Sequence, residues 1–451
     1  MKKGILPRMK STKPIVMKFG GASVRDATAV GNAAGIVGLY RDRKLVVVFS
    51  AMGKTTNELE TLAALAKDQK ERDAGKQLLK IRNTHEEIVA AIFPKGNQRV
   101  IKKLRKYFDE IEQIIQGILL LGEFPPRTYD RIVAFGELIS SSIMFEALKA
   151  TGLDCEWIDV RDIIKTDSSH QDARVIWSLT TENTEQKIVP LLKSKKIVVT
   201  QGFIASGIDG KVTTLGREGS DYTAAIFASI LDAESLIVWK DVPGILNGDP
   251  RILQNRVLLD EISYEHAVEM TFYGATVIHP KTIKPLYQKN IPLFVMPFSN
   301  PKAAGTKIAN AASGLKSHEG ITSTIIKNNQ VVIRILPKDI SFMEAELVSG
   351  IYAHIVRAGI RVNLVQTSAI SFILCADNNV SRIQEFISLL LDQFEVEVRP
   401  DLELVTFIDF SLVNLRTAAN AVMVQQSENK LFVVRNPGGK DSTGSIGEVG
   451  V

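Results

Sequence analysis

Leu45-Val46-Val47-Val48-Phe49 is an apolar run with no polar break, and it leads into a loop of small residues, Ser50-Ala51-Met52-Gly53. A strand with one wet face alternates polar and apolar positions. A strand with no polar position needs cover on both faces, which parallel strands obtain from crossover helices. Short strands are also predicted at 15–19, running into Gly20-Gly21-Ala22-Ser23, and at 196–200, running into Gln201-Gly202-Phe203. Further strands are predicted at 235–239 and 291–295. Helical periodicity fills the intervals at about 26–40, 57–72, 77–92, 98–121, 221–232 and 263–270, with another helix over 130–150 after the break at Phe124-Pro125-Pro126. This alternation predicts one α/β domain over residues 1–300, enlarged by helices before residue 150.

Residues 301–320 are small, polar and weakly periodic, the texture of a linker. Beyond them come a strand (331–335), a helix (342–358), two strands (361–366 and 371–375) and a helix (380–393). That order is the ferredoxin-like split βαβ pattern, expected over 321–398. A shorter second copy is expected over 399–451, with a strand at 402–408, a helix near 412–424 and a strand at 431–434. Strand sharing with the first copy is an arrangement its shortness allows.

The 451 residues carry 55 Lys and Arg against 50 Asp and Glu, a net charge of +5. That small excess suits anionic small molecules. Without an Arg/Lys stripe interleaved with aromatics it does not point to nucleic acid. Cys155 and Cys375 are the only cysteines, which excludes a disulfide scaffold and a cysteine-based zinc site. The six histidines show no metal-ligand spacing, so no metal site is expected from the protein itself. The basic start, MKKGILPRMKSTKP, has no apolar stretch behind it, and no apolar run reaches spanning length. A cytoplasmic location is the expectation, with no membrane partner.

In an open α/β sheet, ligands sit at the carboxyl ends of the strands. Three such ends carry small-residue loops here, at 20–23, 50–53 and 202–210. Glycines let backbone N–H groups approach phosphate oxygens, and a following helix adds its positive end. Lys18 stands beside the first loop as a fixed cation for a phosphoryl group in transfer. Neither a Walker A motif nor a G-x-G-x-x-G fingerprint is present. The segment Gly216-Arg217-Glu218-Gly219-Ser220-Asp221-Tyr222 opens a helix, with Ser220 or Asp221 as N-cap. Arg217 is suited to a carboxylate, which arginine can clamp bidentately. Glu137 lies on an apolar helix face and needs either a substrate ammonium or an internal partner such as Arg131. Asp241 is placed to face a nucleotide or its metal. Lys281 falls in the first turn of a predicted helix, where the dipole disfavours a cation, which hints at an anionic partner.

Together, Lys18-Phe19-Gly20-Gly21, Phe135-Gly136-Glu137, Gly216 to Tyr222, Lys240-Asp241-Val242-Pro243-Gly244 with Asp249-Pro250-Arg251, and His279-Pro280-Lys281-Thr282 resemble the aspartate kinases. The resemblance covers nearly the whole chain and implies an amino acid kinase fold followed by paired ACT domains. It implies transfer from ATP, with Mg²⁺, to the side-chain carboxylate of L-aspartate. That is the first step toward lysine, threonine and methionine. By the same resemblance Lys18, Asp221 and Ser50 sit at the reacting centre, and Thr56, Glu137, Arg217 and Ser220 hold the amino acid. Lys18, Gly20, Gly21, Ser23, Lys240, Asp241, Arg251 and Lys281 lie on the nucleotide side. The chain ends at Val451 without a further α/β pattern, so the monofunctional form is expected, as a homodimer paired through its ACT domains. The rival readings are a kinase for another small carboxylate such as glutamate and a catalytically silent regulatory protein that binds amino acids.

This sequence departs from the family pattern in five places. Ala22 replaces a hydroxyl residue, Glu218 stands where glycine is frequent, and Lys240 replaces threonine or serine. At the effector edge, Gln366-Thr367-Ser368 is followed by Ala369 rather than by an acid, and Asn363 stands for Asp. An amino-acid effector would meet fewer negative charges there, so weak or absent inhibition by lysine is expected.

Overall fold

The computed structural model describes residues 12–249, 256–275, 278–310, 321–339, 341–410 and 421–437. Two compact units emerge. The first comprises Met1–Ile245, Leu258–Val268 and Val277–Leu315; the second comprises Leu246–Val257, Glu269–Thr276 and Lys316–Val451.

Chain order begins β1 (Ile15–Phe19), α1 (Ala27–Gly38), β2 (Leu45–Phe49), α2 (Thr55–Lys67), α3 (Glu71–Ile92), α4 (Gln98–Leu121) and α5 (Pro126–Ala150). It continues β3 (Cys155–Trp157), β4 (Lys165–Thr166), α6 (Trp177–Lys187), α7 (Val189–Lys193), β5 (Ile197–Gln201), β6 (Ile204–Gly207), β7 (Val212–Thr214) and α8 (Gly219–Ile230). Then follow β8 (Ser235–Lys240), β9 (Glu261–Ser263), α9 (Tyr264–Phe272), α10 (Pro280–Lys289), β10 (Leu293–Pro297) and β11 (Thr306–Ala309). Eight strands make one sheet in the order β3-β5-β2-β1-β8-β10-β11-β9. The pairs along β3-β5-β2-β1-β8-β10 are all parallel, and β1, β2, β5 and β10 are buried along their whole length. The apolar runs thus do what their composition requires.

Register places the site. Phe19 is level with Phe49 on one side and Trp239 on the other, and its ring stacks on both at 5.3 and 6.1 Å. The loops after β1, β2 and β8 therefore leave the sheet side by side. Helix α4 shows how the long helices before residue 150 arise. Asn97 caps its start, Gly122 ends it at φ 67°, and Leu104, Phe108, Ile111 and Ile115 form its buried stripe.

Part of the expected linker is a strand. β11 runs antiparallel to β10 and parallel to β9. The turn back is tight enough that a Cβ on Gly305 would lie 2.1 Å from the Val295 carbonyl oxygen, so only glycine fits. Four residues of mixed polarity do not announce such a strand. Likewise β4, β6 and β7 form a small separate sheet from stretches too short to show a period. Residues 311–320 of the expected linker lie outside the described residues.

The second unit contains β12 (Ser323–Pro337), α11 (Ala345–Ala358), β13 (Val362–Thr367), β14 (Phe372–Asp377), α12 (Val380–Leu390), β15 (Phe394–Ile408), β16 (Met423–Ser427) and β17 (Lys430–Arg435). Its sheet runs β13-β14-β12-β15-β17-β16. The four strands β15-β12-β14-β13, with α11 and α12, have the ferredoxin-like order. Ile333, Ile351, Phe372 and Phe386 are at the centre of that half. The other half uses the opposite ends of the same two strands. β12 and β15 each run 15 residues, where only 331–335 and 402–408 are legible in the sequence. Irregular register between Gln330 and Val332 absorbs Pro400 and Asp401 (φ 58°). Of the helix expected near 412–424, residues 411–420 lie outside the described residues, and Met423 and Val424 belong to β16.

Candidate active site

Three loops converge at the carboxyl ends of β1, β2 and β5, and glycine lets them touch. A Cβ on Gly21 would lie 2.7 Å from the Gly53 carbonyl oxygen and 2.9 Å from that of Ala51. One on Gly202 would lie 2.4 Å from Ser220 Cβ, and one on Gly136 would lie 2.9 Å from Ala51 Cβ. These approaches bring α5 and the start of α8 to the strand ends. They enclose a cleft of about 570 Å³ lined by Lys18, Gly21, Ser50, Thr56, Glu137, Arg217, Ser220, Asp221 and Lys240, among others.

A buried charge cluster lies in this cleft. Lys18 Nζ stands 2.6 Å from Asp221 Oδ1, and Lys240 Nζ stands 3.3 Å from Oδ2. Lys18 and Asp221 are 8% and 1% exposed, so water contributes little screening. Burial alone would raise the Asp221 pKa, but Lys18 and then Lys240 outweigh it and hold the carboxyl below its ordinary range. Burial works against the Lys240 ammonium, and Asp221 followed by Glu218 more than compensates.

Glu137 has the opposite fate. Its Oε1 accepts a 3.3 Å hydrogen bond from the Ala51 N–H, while Oε2 is buried with no hydrogen-bond partner among the described residues. Burial pushes its pKa up to about 8, with the Ala51 N–H and the Lys18 charge offsetting only part. Arg131, the internal partner the sequence offered, is exposed and makes no ion pair with it. The acid holds its proton near neutrality until a cation arrives.

The remaining expected residues are placed unevenly. Arg217 is exposed at the cleft, and Ser50, Thr56 and Ser220 line it. Gly20 lies beside the Lys18 ammonium, 3.6 Å from where its Cβ would stand. Ser23 is buried away from the cleft lining, and its hydroxyl donates to the Trp239 carbonyl at 3.4 Å. Asp241 is exposed beyond the lining. Lys281 also lies outside it, and its anionic partner is Asp172. Arg251 lies outside the described residues. Helix α8 starts at Gly219, earlier than expected, with Glu218 rather than Ser220 or Asp221 at the N-cap. In the second unit Gln366, Thr367 and Ser368 are exposed near the β13–β14 turn, which a 2.7 Å hydroxyl pair between Ser368 and Ser371 closes. Asn363 is buried instead, donating to Gln330 and Asp377 and accepting from Lys327 at 2.9 Å.

Asp130 was not singled out from the sequence. It is fully buried and accepts from Thr214 Oγ1 at 2.7 Å and from the Gln171 N–H at 3.1 Å, and it pairs with His170 Nδ1 at 2.7 Å. It ties down the segment that brings Gln171 to the cleft. Its place seven residues before Glu137, on one helix face, was the available signal.

The profile of the amino acid kinase family matches residues 13–297. The chain belongs to that family. Within it, the chain is closely related to the aspartokinases. Lysine-sensitive aspartokinase 3 of Escherichia coli is 32% identical over 407 residues, 87% of this chain and 86% of that protein. Chloroplastic aspartokinase 1 of Arabidopsis thaliana is 30% identical over 393 residues, 85% of this chain and 67% of that one. Among solved structures, E. coli aspartokinase III in complex with aspartate and ADP (R-state) superposes with a TM-score of 0.80. The same enzyme with lysine and aspartate (T-state) gives 0.75. Both are 29% identical and cover 94% of this chain and 96% of the solved chain. Among the described residues, no helix is long and apolar enough to cross a membrane.

Proposed function

We propose that the cleft transfers the terminal phosphoryl group of ATP to the side-chain carboxylate of L-aspartate, giving ADP and 4-phospho-L-aspartate. The observation that carries this reading is one cleft holding both the Lys18–Asp221–Lys240 cluster and the buried carboxyl of Glu137, whose Oε2 has no hydrogen-bond partner among the described residues. The first suits a transferring phosphoryl group and the second a substrate ammonium. The relatedness to aspartokinases supports the choice of acid.

An aspartate side chain is ionised at neutral pH and needs no general base. What the protein must supply is alignment and charge. Lys18, fixed by Asp221, stabilises the phosphoryl group in transfer. Lys240 adds a second cation from the nucleotide side. The backbone N–H groups of the Gly20–Gly21 turn and the positive end of α8 face the phosphates. Arg217 takes the α-carboxylate and Glu137 the α-ammonium, and the ammonium draws the proton off Glu137. Mg²⁺ bound with the nucleotide would neutralise charge on the donor phosphates.

The test is ATP-dependent acyl phosphate formation, trapped with hydroxylamine, with L-aspartate, L-glutamate or no acceptor, each with and without Mg²⁺. An aspartate-specific, Mg²⁺-dependent signal is expected. A signal with glutamate and none with aspartate overturns the choice of acid. No signal from folded protein with any acid overturns the catalytic reading.

A further inference from the structure

Helix α5 carries two buried acids, Asp130 and Glu137, seven residues apart on one face. Glu137 belongs to the cleft lining and Asp130 does not. A buried carboxylate must be compensated, and three groups converge on Asp130 to do so. The Thr214 hydroxyl lies 2.7 Å from Oδ1, the Gln171 N–H donates to both oxygens at 3.1 Å, and His170 Nδ1 lies 2.7 Å from Oδ2.

These groups come from two segments that lie against each other. The Ala173 N–H donates to the Thr214 carbonyl at 2.9 Å. A Cβ on Gly216 would lie 2.3 Å from Asp172 Oδ1 and 3.3 Å from the Gln171 carbonyl oxygen. Gln171 (φ 68°) and Gly216 (φ 76°) both have left-handed backbone. A glutamine keeps that conformation where its surroundings impose it, and the Asp130 carboxylate holds its N–H. Arg217 follows Gly216 directly. Its side chain is exposed, and among the described residues no hydrogen bond or ion pair holds it. The place of its guanidinium therefore follows from the path of its backbone. That path is tied to Phe203 by the Leu215 N–H at 2.9 Å. Among the described residues, the hydrogen bond that ties it to α5, the helix of Glu137, is the one from Thr214 to Asp130.

We propose that Asp130 is a positioning residue for the acceptor: through Thr214 and Gln171 it fixes the Arg217 segment to the helix that bears Glu137. The two groups that grip the acceptor's α-carboxylate and α-ammonium then keep one spacing. This rests on the phosphoryl-transfer reading above. Those two acceptor groups sit on one carbon atom, so a drift of about 1 Å between their partners loses one grip while the other holds. Asp130 itself touches no substrate and acts through its neighbours.

The experiment measures hydroxamate kinetics, competitive inhibition and thermal midpoints on the full chain and on its Thr214→Val, Thr214→Ser and Asp130→Ala variants. Valine keeps the shape of threonine without the hydroxyl, and serine keeps the hydroxyl. In Thr214→Val the KM for L-aspartate is expected to rise about tenfold, with the KM for ATP within about twofold of the parent and kcat falling less than the KM rises. Asp130→Ala should show the same split, enlarged. Thr214→Ser should stay within about threefold of the parent. Two inhibitors locate the effect. Succinate has both carboxylates of aspartate and no ammonium; β-alanine has the ammonium and no α-carboxylate. In Thr214→Val the inhibition constant of succinate should rise with the KM, and that of β-alanine should stay within about twofold.

Equal weakening of both inhibitors shows a general structural role and overturns the proposal. An unchanged KM for L-aspartate in Thr214→Val overturns it too, as does a Thr214→Ser variant no better than Thr214→Val. Should Asp130→Ala not fold, Thr214→Val, which leaves the other bonds to Asp130 in place, decides alone. If the parent chain forms no acyl phosphate from L-aspartate, the phosphoryl-transfer reading falls along with this one. If the parent turns over and Thr214→Val matches it, only this inference falls.

Discussion

Replacing Glu137 with glutamine separates what this side chain does in the empty cleft from what it does in the occupied one. Burial raises its pKa from 4.5 to about 8. The unfolded chain releases the proton near pH 4.5 and the folded chain retains it to about 8. Stability from this group is therefore fully present below pH 4.5 and is lost as pH rises toward 8. At about 1.4 kcal/mol per pH unit, the penalty is about 1 kcal/mol at pH 5 and about 3 kcal/mol at pH 7. Glutamine has the same shape and no ionisation, so Glu137→Gln without substrate should be more stable than the parent by about these amounts, the gap widening with pH. Binding the acceptor should show the opposite. Loss of a charged partner for the ammonium is expected to raise the acceptor KM about ten- to a hundredfold. In the parent at pH 7, acceptor binding should release about 0.9 proton per site. The assays are denaturation midpoints from pH 5 to 8.5, hydroxamate kinetics, and acceptor titrations in buffers of different ionisation enthalpy. A glutamine variant less stable than the parent at every pH, with an unchanged acceptor KM, would refute the reasoning.

Other substitutions address other parts of the cleft. Lys18→Met removes the cation 2.6 Å from Asp221 and should cut kcat at least a thousandfold in the hydroxamate assay, with the KM for acceptor changed less. Ser23→Ala loses one buried hydrogen bond to Trp239, so a stability loss of about 1 kcal/mol with kcat/KM within about threefold of the parent is expected. A large kinetic effect would place its hydroxyl on the nucleotide instead. Gly202→Ala forces a Cβ to 2.4 Å from Ser220 Cβ, and measured activity should fall about tenfold or more as the start of α8 shifts. Lysine at millimolar concentration should inhibit weakly, because Ala369 supplies no acid and Asn363 is engaged with Lys327, Gln330 and Asp377. Tight lysine inhibition in the same assay would sink that expectation.

The sequence alone determined the sheet and the loops at its carboxyl ends. The run 45–49 carries no polar position and 15–19 carries only Lys18, and burial on both faces is the stable outcome for such strands. The long helices were legible too, because α4 combines a cap, a stripe and a terminal glycine in one segment. Short elements were not. β9 and β11 have 3 and 4 residues, and their stability comes from the neighbours they pair with. The 15-residue strands β12 and β15 were hidden by the opposite effect: local breakers at Pro400 and Asp401 are tolerated because an irregular register spares the ladder.

The residue types of the site were readable, and their relations were not. Lys18, Asp221 and Lys240 lie far apart in the chain, and only parallel pairing of β1 with β8 brings them onto one carboxylate. Sequence could offer Glu137 either a substrate ammonium or Arg131. Packing leaves Arg131 exposed and not paired with Glu137, and it buries one oxygen of the Glu137 carboxyl without a hydrogen-bond partner among the described residues. It also moved Ser23 onto a carbonyl and gave Lys281 to Asp172. A residue's type states which interactions it can make; the low-dielectric interior and the neighbours delivered by the sheet determine which of them form.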